Sequence, residues 1–309
     1  MERLKSRPKS FGEVLDTTFS ISKKHFAPLF LILLILLGPL YILNYLFMAL
    51  SGVSIFGRQT DGGFTEGIMD NLDTAAATQE IVGSNMGPGG EILYMLLSSV
   101  LALIVYPMAQ ASIIVATSKV LKGEEWGKKQ AVKGAFSRFW PLVGSSALLG
   151  FILGGGFFIG FLILGISGGM SFATAGAGPG LFMSIILAVL LLAALAFLAT
   201  KWSMFFASVV FQKVAPGLSK SWQLTKGRFW STLGLFVVFF IIIMLLTSII
   251  EGLSVFLLGG SILGRIVTDV STVITTLFLM VGYTVMYFDL KTRNEADDLE
   301  EMIASYKES

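Results

Sequence analysis

Apolar residues occur along this chain in long blocks that polar, charged segments separate. A helix needs about 20 largely apolar residues to cross a hydrocarbon core of about 30 Å. Six blocks come close to or exceed this length, at residues 26–50, 92–117, 140–166, 181–200, 233–250 and 266–288. The pattern predicts an all-α polytopic membrane protein with six transmembrane helices. A single membrane domain, residues 1–309, is expected to hold this six-span bundle of residues 26–288.

A segment with helical periodicity precedes each odd-numbered span. Apolar residues recur there at spacings of three and four, which places them on one face of a helix and polar residues on the other. The three apolar faces consist of Phe11, Val14, Leu15, Thr18, Phe19 and Ile21; of Val132, Ala135, Phe136, Phe139 and Trp140; and of Leu218, Trp222, Thr225 and Phe229. Such helices lie in a headgroup layer with the apolar face toward lipid. We therefore predict three hairpin repeats, each a cytoplasmic amphipathic interfacial helix followed by two spans.

The junctions between these helices and the spans share aromatic and cationic residues. The first reads His25-Phe26, the second Arg138-Phe139-Trp140 and the third Arg228-Phe229-Trp230. Aromatic rings sit at headgroup depth, where a neighbouring cation meets lipid phosphate. Lys201 follows the fourth span and has two interpretations. It lies within the membrane, where it binds a headgroup or lines a path, or it extends its long side chain to the interface. The candidate contacts with lipid headgroups or the interface are Arg138, Trp140, Lys201, Arg228 and Trp230.

The composition supports a membrane location. Hydrophobic residues make up 54% of the chain and charged residues 14%, whereas soluble domains carry about 25% charged residues. A surface so poor in charge would expose large apolar patches to water, which excludes an ordinary water-soluble protein. Membrane lipids and other membrane proteins are therefore the expected partners, and nucleic acid is not. The oligomeric state stays open.

The placement of basic residues predicts the orientation. Short cytoplasmic segments retain Lys and Arg, and 20 of the 22 basic residues lie in the two tails and in the second and fourth connections. Arg58 and Arg265 are the two exceptions. The N-terminal segment 1–25 and the acidic tail 289–309 are therefore expected in the cytoplasm, and the acidic first connection, residues 51–91, is expected outside.

Glycines mark one face of the third span. Gly150 with Gly154, and Gly156 with Gly160, form two pairs of small residues at a spacing of four. Such pairs let two helix backbones approach closely. We interpret them as packing positions inside the bundle, and the alternatives are a homodimer face or a flexible gate.

Motifs for catalysis and for cofactors are missing from the sequence. One His and no Cys exclude a histidine pair, a HExxH zinc motif and a thiol nucleophile. The chain has no GxSxG, no P-loop and no GxGxxG motif in a strand-turn-helix context. Ionisable residues are also nearly absent from the spans. No enzymatic activity, cofactor or metal is therefore expected.

Three further segments carry a family resemblance. The longest runs from Gly217 to Trp230 (GLSKSWQLTKGRFW), and the others are Ser10–Asp16 and Tyr287–Arg293. Together they resemble a bacterial integral membrane family named for the membrane domain of glycerophosphoryl diester phosphodiesterases. The resemblance implies a multi-pass protein of the bacterial plasma membrane. The catalytic domain of such phosphodiesterases needs histidines and clustered acids, so the enzyme name is not carried over to this chain.

These features predict a protein that acts through association, as a non-catalytic accessory or scaffold subunit of a membrane assembly. The alternative is a transporter or permease for a lipid or a small amphiphile, since repeat architecture often accompanies transport. That alternative lacks buried polar groups for a substrate site in the sequence pattern.

Overall fold

The computed structural model describes residues 8–56, 64–174 and 179–308. The protein is 87% helical, and this part of the chain contains no strand. The helices are α1 Phe11–Lys24, α2 Phe26–Leu50, α3 Phe64–Lys122, α4 Lys128–Phe136, α5 Phe139–Thr174, α6 Pro179–Trp202, α7 Phe205–Gln212, α8 Leu218–Leu224, α9 Phe229–Leu258 and α10 Ile262–Glu308. The all-α prediction is confirmed.

Six segments of the described chain are long and apolar enough to cross a membrane. They are Phe26–Leu50, Gly89–Lys122, Phe139–Ile163, Phe182–Gln212, Phe229–Leu258 and Ile262–Ala296. The prediction of a multi-pass protein with six spans is confirmed at this level. Several of these segments are longer than the apolar blocks of the sequence, because a helix that has formed adds further residues at little cost.

Two segments expected as a loop and a tail are helical. The first connection, residues 51–91, contains the start of α3, whose backbone leaves helical geometry at Gly87 (φ 66°, ψ 168°). The tail, residues 289–309, continues α10 to Glu308. Four basic residues of the charge count, Arg3, Lys5, Arg7 and Arg58, lie outside the described residues.

The chain divides into two compact units. Unit 1 comprises Met1–Ser137 and Gly234–Ala296, and unit 2 comprises Arg138–Leu233 and Asp297–Ser309. Unit 1 therefore contains α1 to α4 with most of α9 and α10, and unit 2 contains α5 to α8. The single membrane domain and its three hairpin repeats stay predictions.

Helix α1 packs into unit 1. Its Val14, Thr18 and Ile21 side chains are buried, and the Phe19 ring centroid lies 4.6 Å from that of Phe278 in α10. These residues belong to the face that the sequence pattern assigned to lipid. Part of that face is covered by protein, because α10 offers an apolar surface at this end of unit 1.

The start of α1 is also bonded to α10. A capping box opens α1, in which the Ser10 hydroxyl accepts from the Glu13 N–H and the Glu13 carboxylate accepts from the Ser10 N–H. The Lys9 N–H donates to Asp289 Oδ1 at 2.6 Å. Arg293 donates to Asp289 Oδ2 at 2.8 Å and to the Lys9 carbonyl at 2.5 Å. The first and last of the three resemblance segments therefore meet in space.

The packing of the Phe239 ring of α9 on α10 depends on one glycine. A Cβ at Gly282 would lie 2.5 Å from Cζ of Phe239, and the Phe239 side chain is fully buried. The ring fits at this position because Gly282 has no side chain.

We expect Gly282→Ala to destabilise unit 1 by about 1–3 kcal/mol, the usual cost of overpacking a core. The matched control is Gly252→Ala in α9, where a Cβ would meet nothing within 4 Å, so the higher helix propensity of Ala makes it neutral or stabilising. Thermal unfolding of both variants in one detergent provides the measurement. Equal melting temperatures of the two variants would contradict the packing of the Phe239 ring on Gly282.

Candidate functional site

The fourth span is interrupted near its end. Helix α6 ends at Trp202 and α7 begins at Phe205, so the apolar segment continues past residue 200, where the sequence pattern ended it. The Ser221 hydroxyl of α8 accepts from the Met204 N–H at 2.9 Å and donates to the Lys201 carbonyl at 2.8 Å. A helix break needs such bonds because it leaves backbone N–H and C=O groups without helical partners. Ser221 therefore satisfies the backbone on both sides of the break.

Helix α8 approaches this break through a glycine. Gly217 has φ 75°, a value that favours glycine, and a Cβ there would lie 2.7 Å from the Phe205 carbonyl oxygen. At the other end of α8, the Thr225 hydroxyl donates to the Lys201 carbonyl at 3.4 Å. The short helix is thus held against the break at both of its ends.

The Lys201 ammonium lies among three aromatic rings, which we call the aromatic cage. Its Nζ is 5.5 Å from the ring centroid of Trp222 and 5.9 Å from those of Phe197 and Phe229. Nζ also donates to the Thr225 carbonyl at 3.3 Å. Cation–π attraction acts within about 6 Å, so the cage holds the ammonium in one position.

The resemblance segment from Gly217 to Trp230 supplies most of this site. Its Gly217 and Ser221 complete the helix break, and its Trp222, Thr225 and Phe229 surround the ammonium. Sequence analysis placed Lys201 among the candidates, and the structure adds the partners that orient it.

The other candidate interface residues lie at two helix junctions. Arg138 precedes α5 and Arg228 precedes α9, and both are partly exposed. Trp140 and Trp230 are each 79% exposed. Each indole packs edge-on against the preceding Phe ring, with centroids 5.1 Å and 5.2 Å apart. The two junctions therefore share one local geometry, and Phe229 connects the second of them to the aromatic cage.

The four candidate packing glycines divide into two pairs. A Cβ at Gly156 would lie 3.6 Å from Leu195 of α6, and one at Gly160 would collide with Leu191. A Cβ at Gly150 or Gly154 would meet nothing within 4 Å. Gly156 and Gly160 thus pack inside the α5–α6 hairpin, and Gly150 and Gly154 lie on an open face.

A polar cluster lies inside the sixth span of unit 1. Asp269 is buried; its Oδ1 pairs with Arg265 Nε at 3.3 Å, and its Oδ2 accepts from the Tyr45 hydroxyl at 2.9 Å. The neighbouring Asn44 of α2 accepts a hydrogen bond from the Tyr94 hydroxyl of α3. The cluster thus joins α2, α3 and α10.

Asp269 lies inside an apolar block and is not among the candidate residues predicted from the sequence. Residues 266–288 were treated as one of the apolar spans with few ionisable groups, and Arg265 was assigned to the outer side. An Arg and an Asp four residues apart at the start of an apolar block are a usable signal, because this spacing puts both charges on one helix face. An ionisable residue within a span is itself a functional hint.

The two sites differ in what they offer to a ligand. Both carboxylate oxygens of Asp269 are bonded to protein, whereas the Lys201 ammonium, which has three N–H groups, donates one of them to Thr225. In the part of the chain that the structure describes, no group of three or more His, Asp or Glu residues is positioned to hold a metal ion.

Comparison with known proteins identifies the family. A family described as a domain of unknown function, DUF7847, matches residues 28–290. The chain belongs to this family. The match runs from Pro28 in α2 to Leu290 in α10, and so includes the Lys201 site and the Asp269 cluster. No curated protein and no solved structure matches the chain, and the resemblance to the phosphodiesterase membrane domain stays a prediction.

We expect Ser221→Ala to lower the free energy of unfolding by about 1–3 kcal/mol, because it removes the hydroxyl acceptor of the Met204 N–H and the shorter of two hydroxyl bonds to the Lys201 carbonyl. Ser219→Ala is the matched control, since Ser219 lies in the same helix and is exposed. Thermal unfolding in detergent compares the two. A Ser221→Ala variant as stable as Ser219→Ala would contradict the bridge across the break.

Proposed function

We propose that this DUF7847 protein is a non-catalytic accessory or scaffold subunit of a membrane assembly. It binds other membrane proteins and membrane lipids in a bacterial plasma membrane, with both termini in the cytoplasm. The observation that carries the proposal is the open glycine face of α5.

Gly150 and Gly154 have no atom within 4 Å of a Cβ built on either. A glycine lowers the stability of a helix by about 1 kcal/mol relative to alanine, and contact with lipid does not compensate for this loss. Glycine pairs at this spacing allow helices to approach closely, as Gly156 and Gly160 do against α6. A helix of another membrane protein is therefore the partner that this face fits.

The low burial of the spans in unit 2 supports the same function. None (0%) of the most apolar 18-residue part of the fourth span is buried, and 6% of that of the third is. The corresponding shares are 33%, 17% and 44% for the first, second and sixth spans, which lie in unit 1, and 11% for the fifth, which lies mostly in unit 1. Unit 2 thus keeps its apolar surface for lipid and for partner helices.

Two paired carboxylates support a role without catalysis. The buried Asp269 is paired with Arg265 and bonded to α2, and the partly buried Asp289 is paired with Arg293 and bonded to the start of α1. Hydrolysis of phosphodiesters normally uses metal ions held by several carboxylates or histidines. These two acids instead connect helices.

The hairpin repeats and their interfacial helices are part of the proposal. The short helices α1, α4 and α8 precede α2, α5 and α9. The rings of Phe11, Phe19, Trp140 and Trp230 are exposed, which supports a position for these three regions in the cytoplasmic headgroup layer. The exposed part of the α1 face would contact lipid there while its buried part contacts α10.

Replacing both Gly150 and Gly154 by Leu tests the association. We expect the double variant to reach the membrane and to retain partner proteins from mild detergent about tenfold less well than the wild type, because the leucines fill the open face. The matched control is Gly144→Leu, which also has nothing within 4 Å and lies about 120° around α5 from Gly150. Unchanged copurification in the double variant would contradict the proposal.

The same face distinguishes a foreign partner from a second copy of the chain. Because the sequence has no Cys, Gly150→Cys introduces the only thiol, and crosslinking in native membranes captures the protein that contacts α5. A product with another protein supports the accessory role. A product of two identical chains would replace it with self-association, and metal-dependent cleavage of glycerophosphodiesters by the purified protein would overturn the non-catalytic assignment.

Transport of a lipid or small amphiphile is a second candidate function, and the Asp269 cluster favours it. Polar groups from three spans meet there, each within about two helical turns of the end of its span, and ionisable groups within spans mark substrate or ion pathways. Flux through the purified protein in liposomes, lost in Asp269→Asn, would establish transport. Absence of flux with several lipid and amphiphile probes, together with the Gly150 crosslink, would leave the accessory role.

A further inference from the structure

We infer that unit 2 binds the phosphate group of an anionic membrane lipid at Lys201 and its aromatic cage. The inference deepens the lipid contacts of the proposed function, and it rests on the proposed cytoplasmic headgroup level of α8. It names the ligand as a lipid with net negative charge and the binding group as one ammonium held by three rings.

The sequence stretch that contains this site carries positive charge without negative charge. From Trp126 to Ile250 the sequence has no Asp or Glu. The same stretch contains nine basic residues, Lys128, Lys129, Lys133, Arg138, Lys201, Lys213, Lys220, Lys226 and Arg228. The counter-charge for this stretch therefore comes from outside it, and the acidic segment Asp297–Ser309 of unit 2 is one source. Lipid phosphate is the other, because anionic lipids attract basic segments of this kind to the membrane surface.

Helix α8 sets the depth of the site. Its Ser219, Lys220 and Gln223 are exposed, while Ser221 is buried against the helix break. A helix with one polar and one buried face suits the headgroup layer. Lys201 is bonded to this helix through Ser221 and Thr225, so its ammonium lies at the depth of the lipid phosphates.

The Lys201 ammonium has N–H groups available to bind an anion. It donates one N–H to the Thr225 carbonyl, and the rings of the aromatic cage lie 5.5–5.9 Å away, which leaves N–H groups for an oxygen acceptor. The rings restrict the long lysine stem and displace water from one side of the charge. A charge-assisted hydrogen bond to phosphate is stronger in such a setting.

The apolar rim of the cage favours a lipid over a free anion. Phe197 and Trp222 are each 41% exposed, so a molecule that bonds to Nζ also meets two aromatic surfaces. Inorganic phosphate gains nothing from these rings. A lipid can contact them with its glycerol and acyl groups while its phosphate reaches Lys201.

Native mass spectrometry of the full chain in detergent tests the site with phosphatidylglycerol as the probe. We expect the wild type to bind one phosphatidylglycerol at least about tenfold more tightly than phosphatidylcholine, and Lys201→Gln to lose about tenfold in that affinity. Lys213→Gln is the matched control, because it removes the same charge from the same basic stretch at an exposed position outside the cage. Equal affinity in the two variants would overturn the inference.

Trp222→Ala provides a second variant that keeps every charge and removes one exposed ring. The cage predicts a loss of about tenfold in phosphatidylglycerol affinity, and general attraction of a basic surface predicts no change. This variant decides the question if Lys201→Gln does not fold. Competition by millimolar inorganic phosphate as effective as by phosphatidylglycerol would assign the site to free phosphate and overturn the lipid ligand.

The lipid site and the glycine face give separate readouts. Lys201→Gln is expected to leave the crosslink at Gly150→Cys unchanged, and the Gly150→Leu, Gly154→Leu variant is expected to bind phosphatidylglycerol as the wild type does. Failure of either proposal is therefore seen without failure of the other.

Discussion

The need of every backbone N–H and C=O group that is shielded from water for a hydrogen-bond partner governs this structure. Continuous helices meet that need along the spans, and bonds from other segments meet it where helices stop. At the break between α6 and α7 the Ser221 hydroxyl bonds to both sides. Between α9 and α10 the N–H groups of Ile262 and Leu263 donate to the carbonyls of Ser54 and Ile55, each at 3.0 Å. Residues that follow α2 thus complete the start of the last span.

The hydrogen bonds that satisfy the backbone at the α6–α7 break also form the candidate binding site. Because Ser221 must reach the Lys201 carbonyl, α8 lies directly against the end of α6, and this brings Trp222 and Thr225 to the ammonium. Gly217 makes the approach possible, since any side chain there would collide with the α7 backbone. The backbone constraint and the lipid site therefore share the same short helix, and a change that loosens α8 is expected to affect both.

Close packing without a hydrophobic driving force is the second constraint on a protein in lipid. Helices in this environment associate through van der Waals contact, and small residues increase that contact. Gly282 lets the Phe239 ring pack against α10, and Gly160 lets the Leu191 side chain pack against α5. Gly150 and Gly154 are spaced in the same way, and no atom of the described residues lies within 4 Å of a Cβ built at either. This contrast within one helix is the basis for assigning the open pair to a partner.

The sequence by itself determined the all-helical class, the six spans and the absence of catalytic motifs, because hydropathy and residue inventory are local properties. The first span, residues 26–50, has the same bounds in the structure. Only the tertiary structure decided which glycines have neighbours, what surrounds Lys201, and that part of the α1 face packs on α10. These features depend on bonds between distant residues, from 20 positions apart for Ser221 and Lys201 to 280 for Lys9 and Asp289. Periodicity within one segment does not contain that information.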